Sequence, residues 1–174
     1  MNVLRTLALA TVAGGLLSSA MSVEAASPRM HSCVDALAAN PNYRSFFDAI
    51  ERVGGTARFV QNEPITIFAL DNTEVEKVPP AVRNLFLPVG PEVNDVRGLG
   101  PVMDQLVLEG RHPVAEMKPG QEFYTLDEAT VQVVGSSNGR PVLRIGGYDM
   151  TVVSADQPCS NGLVQGVAYV ARNR

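Results

Sequence analysis

The chain lacks tryptophan, carries only two cysteines and two histidines, and has no excess of positive charge; its formal net charge is −4. A mildly acidic chain without tryptophan does not suit the phosphates of nucleic acid or an anionic membrane surface. Catalytic signatures are missing as well. There is no Gly-x-Ser-x-Gly nucleophile elbow, no phosphate-cradling glycine loop and no His-Glu-x-x-His helix, so nothing in the residues points to an enzyme or a cofactor. No like-charge run reads as a binding tail. Long hydrophobic runs are also missing after the first twenty residues, which excludes a later membrane-spanning helix of roughly 20 apolar residues.

The one apolar run lies at the start. Arg5 precedes Thr6 to Leu17, and small residues follow at Ser18, Ser19, Ala20, Ala25 and Ala26. A basic start, an apolar stretch and a small-x-small exit are the parts of a cleavable signal peptide. Residues 1–25 are therefore expected to be removed, and residues 26–174 to form a single domain outside the cytoplasm, periplasmic or extracellular. The run is short for an uncleaved anchor and contains Gly14 and Gly15, which weaken a helix.

Export gives the cysteines their meaning. Cys33 and Cys159 sit at opposite ends of the mature chain, and a lone pair in an oxidising compartment reads as a disulfide. The competing reading is a metal site, because Cys33, Cys159, His31 and His112 are ligand types for zinc or copper; their spacing matches no standard metal motif.

Periodicity divides the mature chain in two. Ser32, with Asp35 three residues on, predicts a helix cap before Cys33 to Ala39. Asn40-Pro41 restarts the chain, and Phe46, Phe47, Ile50 and Val53 form one face of a second helix ended by Gly54-Gly55. Ile65 to Leu70 reads as a buried strand. Asp71-Asn72-Thr73 is a turn or cap before a helical turn at Glu74 to Lys77, and Pro79-Pro80 opens another short helix. Leu87 to Gly100 reads as a loop, and Val102 to Glu109 as a helix closed by Gly110. Short strands follow at Thr125-Leu126, Thr130 to Val134, Val142 to Ile145, Met150 to Val153 and Gly162 to Val170, separated by glycine-rich turns. Helices first and a strand meander last give the class α+β.

Five blocks in order carry a family resemblance. They are Cys33 to Ile50, Ile65-Thr-Ile-Phe-Ala-Leu-Asp-Asn72, Leu106-x5-His112-Pro-Val114, Thr125-Leu126-Asp127, and Ser160-Asn-Gly-Leu-Val164. Over about Ser32 to Val170 the chain resembles a single fasciclin domain of the kind found in small exported bacterial proteins. It departs from the family pattern at Leu70 (usually proline), Arg111 (tyrosine), Pro113 (valine), Gln165 (histidine) and Ala168 (aspartate). The resemblance implies a wedge or sandwich with a helical N-terminal half packed on a β-sheet core. It also implies adhesion or protein interaction, with an envelope or extracellular protein or glycan as partner, more than catalysis. Some members bind apolar ligands, so a small lipid or pigment is the alternative, and Met103, Met117 and Phe123 near the histidine block suit an adaptable pocket.

The interaction candidates are Asp71, Asn72, Arg111, His112 and Asn161. Each has a structural reading beside the functional one. Asp71 and Asn72 form a recognition corner or cap the next helix. His112 contacts a partner, or satisfies backbone acceptors at a helix end. Asn161-Gly162 is a ligand corner or a turn.

Overall fold

The computed structural model describes residues 30–60, 64–88 and 96–171, and the expected signal peptide at 1–25 lies outside them. Helix α1 (Cys33–Ala39) begins with a complete capping box: Asp35 N–H donates to Ser32 Oγ at 3.1 Å, and Ser32 N–H donates back to the Asp35 carboxylate at 3.2 Å. These bonds satisfy amides that the first turn otherwise leaves bare. Asn40 caps a 3-10 turn at Pro41–Tyr43, which leads into α2 (Arg44–Arg52). Phe46, Ala49 and Ile50 are the buried stripe of α2, and Phe46 stacks on Phe86 with ring centroids 5.9 Å apart. Gly54 ends α2, but a further turn of helix follows at once, α3 (Gly55–Arg58), whose first residue packs against Phe59 and Ile50.

Strand β1 (Ile65–Leu70) is buried at every position. Two short helices follow it, α4 (Asn72–Lys77) and α5 (Pro80–Phe86). Arg52 reaches from α2 to the end of α5, donating to the carbonyls of Leu85 (2.6 Å) and Phe86 (3.1 Å). A cation there satisfies the unpaired carbonyls and opposes the helix dipole.

The expected helix at Val102 to Glu109 is corrected. Helix α6 (Leu99–Gln105) starts earlier and stops earlier, so Leu99 and Gly100 leave the expected loop, and residues 89–95 of that loop lie outside the described residues. Val107–Glu109 is instead strand β2, antiparallel to β1 with Ile67 opposite Val107. The apolar run Leu106-Val107-Leu108 fits both a helix face and a buried strand. The unpaired edge of β1 decides between them.

The meander is longer than its sequence signals. It comprises β3 (Glu122–Tyr124), β4 (Thr130–Ser137), β5 (Arg140–Ile145), β6 (Tyr148–Cys159) and β7 (Gly162–Tyr169). The expected strand at Thr125-Leu126 moves to Glu122–Tyr124, and Thr125 makes only an isolated bridge to Leu108. The turn expected over Gly135 to Gly139 shrinks to Asn138-Gly139, because Gly135 sits at a bulge inside β4 and Ser136 and Ser137 pair with β5. Strand β6 runs through Ser154 to Cys159 because two irregularities let a polar stretch stay in register with β7.

All seven strands form one sheet in the order β2-β1-β7-β6-β5-β4-β3. Its ends approach each other at the Leu108–Thr125 bridge and the bond from Leu126 N–H to the Val107 carbonyl (3.1 Å), giving a nearly closed barrel with the helices on one side. The α+β expectation is met, as a wedge built on a single sheet. Strand β7 lies parallel to β1, with Ile65 opposite Gly162. A Cβ at Gly162 would sit 1.8 Å from the Ile65 carbonyl oxygen, so only glycine lets the two strands meet there.

Cys33 and Cys159 form a disulfide that joins α1 to the end of β6, both residues being buried. It closes a separation of 126 residues. Replacing both cysteines with serine should lower unfolding free energy by about 4 kcal/mol in the chain-entropy description. Urea titration with and without reductant checks this: reduced wild type should match the variant, and an unchanged midpoint would show that the clasp adds nothing.

Candidate functional site

Strand β1 separates the five sequence candidates into two groups. Asp71 and Asn72 lie at its C-terminal end; Arg111, His112 and Asn161 lie near its N-terminal end, where Ile65 pairs with Glu109 and Gly162. Six extended residues put about 20 Å between these ends. The candidates do not form one site.

The first group is occupied by local structure. Asp71 caps α4, its Oδ1 accepting from Glu74 N–H at 2.8 Å. Asn72 accepts from Ser45 N–H (3.0 Å) and donates to the Pro41 carbonyl (2.9 Å), tying α4 to the start of α2. Asn161 is similarly engaged. Its Oδ1 accepts from Cys33 N–H (2.9 Å), and its Nδ2 donates to the Phe59 carbonyl (2.8 Å). One carboxamide thus links α1, the end of α3 and the start of β7, beside the disulfide.

His112 follows the end of β2, not a helix end. Its ring lies against Phe123 with centroids 4.6 Å apart, and Nε2 is 2.7 Å from the Glu109 carbonyl oxygen. A carbonyl only accepts, so Nε2 carries the proton. The backbone N–H of His112 donates to Thr66 Oγ1 (2.9 Å), and that hydroxyl donates to the Gly110 carbonyl (2.8 Å). Arg111 is exposed beside it.

What fixes this segment is a residue that the sequence marked only as a departure. Gln165 on β7 is fully buried. Its Nε2 donates to the His112 carbonyl (3.2 Å) and to Asp156 Oδ1 (2.7 Å), while its Oε1 accepts from Asp156 N–H (2.8 Å). Asp156, at φ 52°, in turn accepts from Val114 N–H at 3.0 Å. The carboxamide thereby clamps the Arg111–Val114 segment to the irregular stretch of β6 as a fixed ledge. Polar residues at buried strand positions are the signal that finds such a clamp, because an unpaired carboxamide there is costly.

Electrostatic strain sits elsewhere. Asp104 of α6 is buried, with Oδ1 2.8 Å from the Arg58 guanidinium. Burial raises its pKa above the ordinary aspartate value, Arg58 opposes that, and Asp127 adds to it. Asp127 itself is taken by the Thr125 hydroxyl and Ala129 N–H.

Two cavities lie among the described residues. An apolar one of about 260 Å³ lies between α5, α6 and the β5–β6 turn, walled by Val82, Leu85, Phe86, Val102, Ile145 and Tyr148. A polar cleft of about 470 Å³ opens over Glu122, Thr130, Gln132 and Arg144. Met103, Met117 and Phe123, expected near a pocket, line neither; both methionines are core residues. The metal reading loses its sulfur ligands to the disulfide, and no cluster of three ligating side chains occurs among the described residues. No helix among those residues is long and apolar enough to cross a membrane.

A family model described as the fasciclin domain matches residues 41–171. No curated protein matches the chain. Among solved structures, a FAS1 domain pair from the insect cell adhesion molecule fasciclin I superposes with a TM-score of 0.66 at 12% identity. The match covers 83% of this chain and 52% of that one, so this chain spans about half the length of the pair.

Gln165→Leu should cost about 2–3 kcal/mol, since it leaves Asp156 N–H and the His112 carbonyl without the partner that Gln165 supplies. Amide exchange at Asp156 and Val114 should accelerate relative to the core, and unchanged protection would refute the clamp. A raised Asp104 pKa means that the folded state holds its proton more tightly than the unfolded chain. Stability linked to this group therefore falls as pH rises from the ordinary aspartate range through the folded value. Asp104→Asn should abolish that segment of the pH dependence, so variant and wild type differ near neutral pH and converge in acid. Melting curves between pH 3 and 7 test it.

Proposed function

The chain belongs to the fasciclin domain family, and from that premise we propose that it is an exported, non-enzymatic adhesion or protein-interaction module. In this reading residues 1–25 are a signal peptide removed on export, and residues 26–174 work in the periplasm or outside the cell. The partner is an envelope or extracellular protein or glycan. The observation that carries the reading is the ledge at Arg111–Val114, where an exposed cation and a half-buried imidazole are held on a rigid backbone instead of a free loop. Rigid presentation lowers the ordering cost of binding. The disulfide suits an oxidising compartment. The insect protein of similar fold is by name a cell adhesion molecule, which agrees with the reading.

A second reading, a small apolar ligand such as a lipid or pigment, is favoured by the apolar cavity between α5 and α6. It does not compete for the ledge. The two functions would occupy different faces.

Saturable binding of the exported protein to envelope proteins and glycans tests the first reading. Arg111→Glu should weaken it about tenfold, or ~1.4 kcal/mol, while Lys77→Glu on the far end leaves it intact. Absence of binding, or equal effects of the two reversals, would count against the ledge. The mass of the exported chain reports the cleavage point at Ala25 or Ala26.

A further inference from the structure

The apolar cavity and the polar cleft share two lining residues, Gln105 at the end of α6 and Gly146 in the β5–β6 turn. We propose that the two form one site for an amphiphile with an uncharged polar head. The proposal rests on the second reading above and adds the head group.

Size argues for joining them. An apolar cavity of about 260 Å³ falls below the usual range of about 300–1,000 Å³ for small-molecule sites, whereas the pair together falls within it. A glycine stands where their linings meet. Gly146 has φ 56°, and a Cβ there would lie 2.6 Å from Gln105 Oε1. Any side chain at this position would require the Gln105 carboxamide to move.

Chemistry argues for the head. Gln105 is partly buried and lines both cavities, so its carboxamide offers a donor and an acceptor at the boundary between apolar and polar linings. Beyond it, the charged residues of the cleft are one anion, Glu122, and one cation, Arg144. Glu122 accepts from Gln132 Nε2 (3.3 Å), and Arg144 Nε donates to Asp149 (3.0 Å). Glu122 thus has an amide donor and Arg144 a carboxylate, and the residues that line the cleft carry no net charge. A carboxylate head drawn to Arg144 would also meet Glu122, and an ammonium head drawn to Glu122 would also meet Arg144. Hydroxyl groups can use donors and acceptors of both without that repulsion.

Four probes decide the matter with the mature protein: octyl glucoside below its micelle threshold, sodium octanoate, octylammonium chloride and toluene. Binding is read by calorimetry, and location by amide shifts around Gln105 and Gly146. The glucoside should bind one-to-one and at least tenfold tighter than either charged octyl compound. Ala81→Phe, which projects a ring into the apolar cavity from α5, should abolish it, with circular dichroism reporting the fold. Gln105→Leu should weaken the glucoside about tenfold and leave toluene unchanged. If toluene binds but the glucoside is no tighter than the octanoate, the apolar pocket stands and the head-group assignment falls. If none of the four binds, both fall.

Discussion

Strand β1 pairs with the next strand, β2, over only three residues. Its inner edge is satisfied by β7, the last strand of the chain, laid parallel to it. Parallel strands need a long crossover, and here the crossover is nearly the whole protein. Helices α4 to α6 and strands β2 to β6 all lie between the two partners. The contact is unusually close at Gly162, where no side chain fits against Ile65. Around that point gather the disulfide and the Asn161 carboxamide, which fix the first helix to the same corner. Losing the pairing would leave β1, buried throughout, without half its hydrogen bonds.

This constraint also distributes the polar residues. A parallel β1–β7 pair has one end facing α4 and the other facing the disulfide corner, so conserving backbone satisfaction at both ends consumes Asp71, Asn72 and Asn161. Of the five candidates only Arg111, in the segment between β2 and β3, stays exposed. The buried Gln165 makes that segment rigid by bonding its backbone and not its side chains. Side chains at the ledge can therefore vary without loosening the support.

The helices make a different surface. Arg52 holds the end of α5 over α2, and α6 packs beside it, leaving a cavity where the β5–β6 turn passes underneath. Gln105 belongs to the helix and Gly146 to the hairpin. Their meeting is a product of packing between parts of the chain that share no local motif.

Local rules settled much of this protein in the sequence itself. The Ser32–Asp35 capping box, the apolar stripe of α2 and the β-branched run of β1 are all short-range physics, and each appears where its residues place it. The family blocks fixed the order of elements, and the cysteine pair was readable because only two were present. Tertiary structure decided the rest. Leu106 to Glu109 could satisfy its apolar periodicity as helix or strand, and the open edge of β1 chose strand. His112, Asn161 and Asp71 look alike as polar residues beside turns. Their roles depend on which distant backbone groups need a partner, and no local spacing encodes that. Gln165 read as a departure from a pattern until burial between β1 and β6 made its carboxamide a clamp.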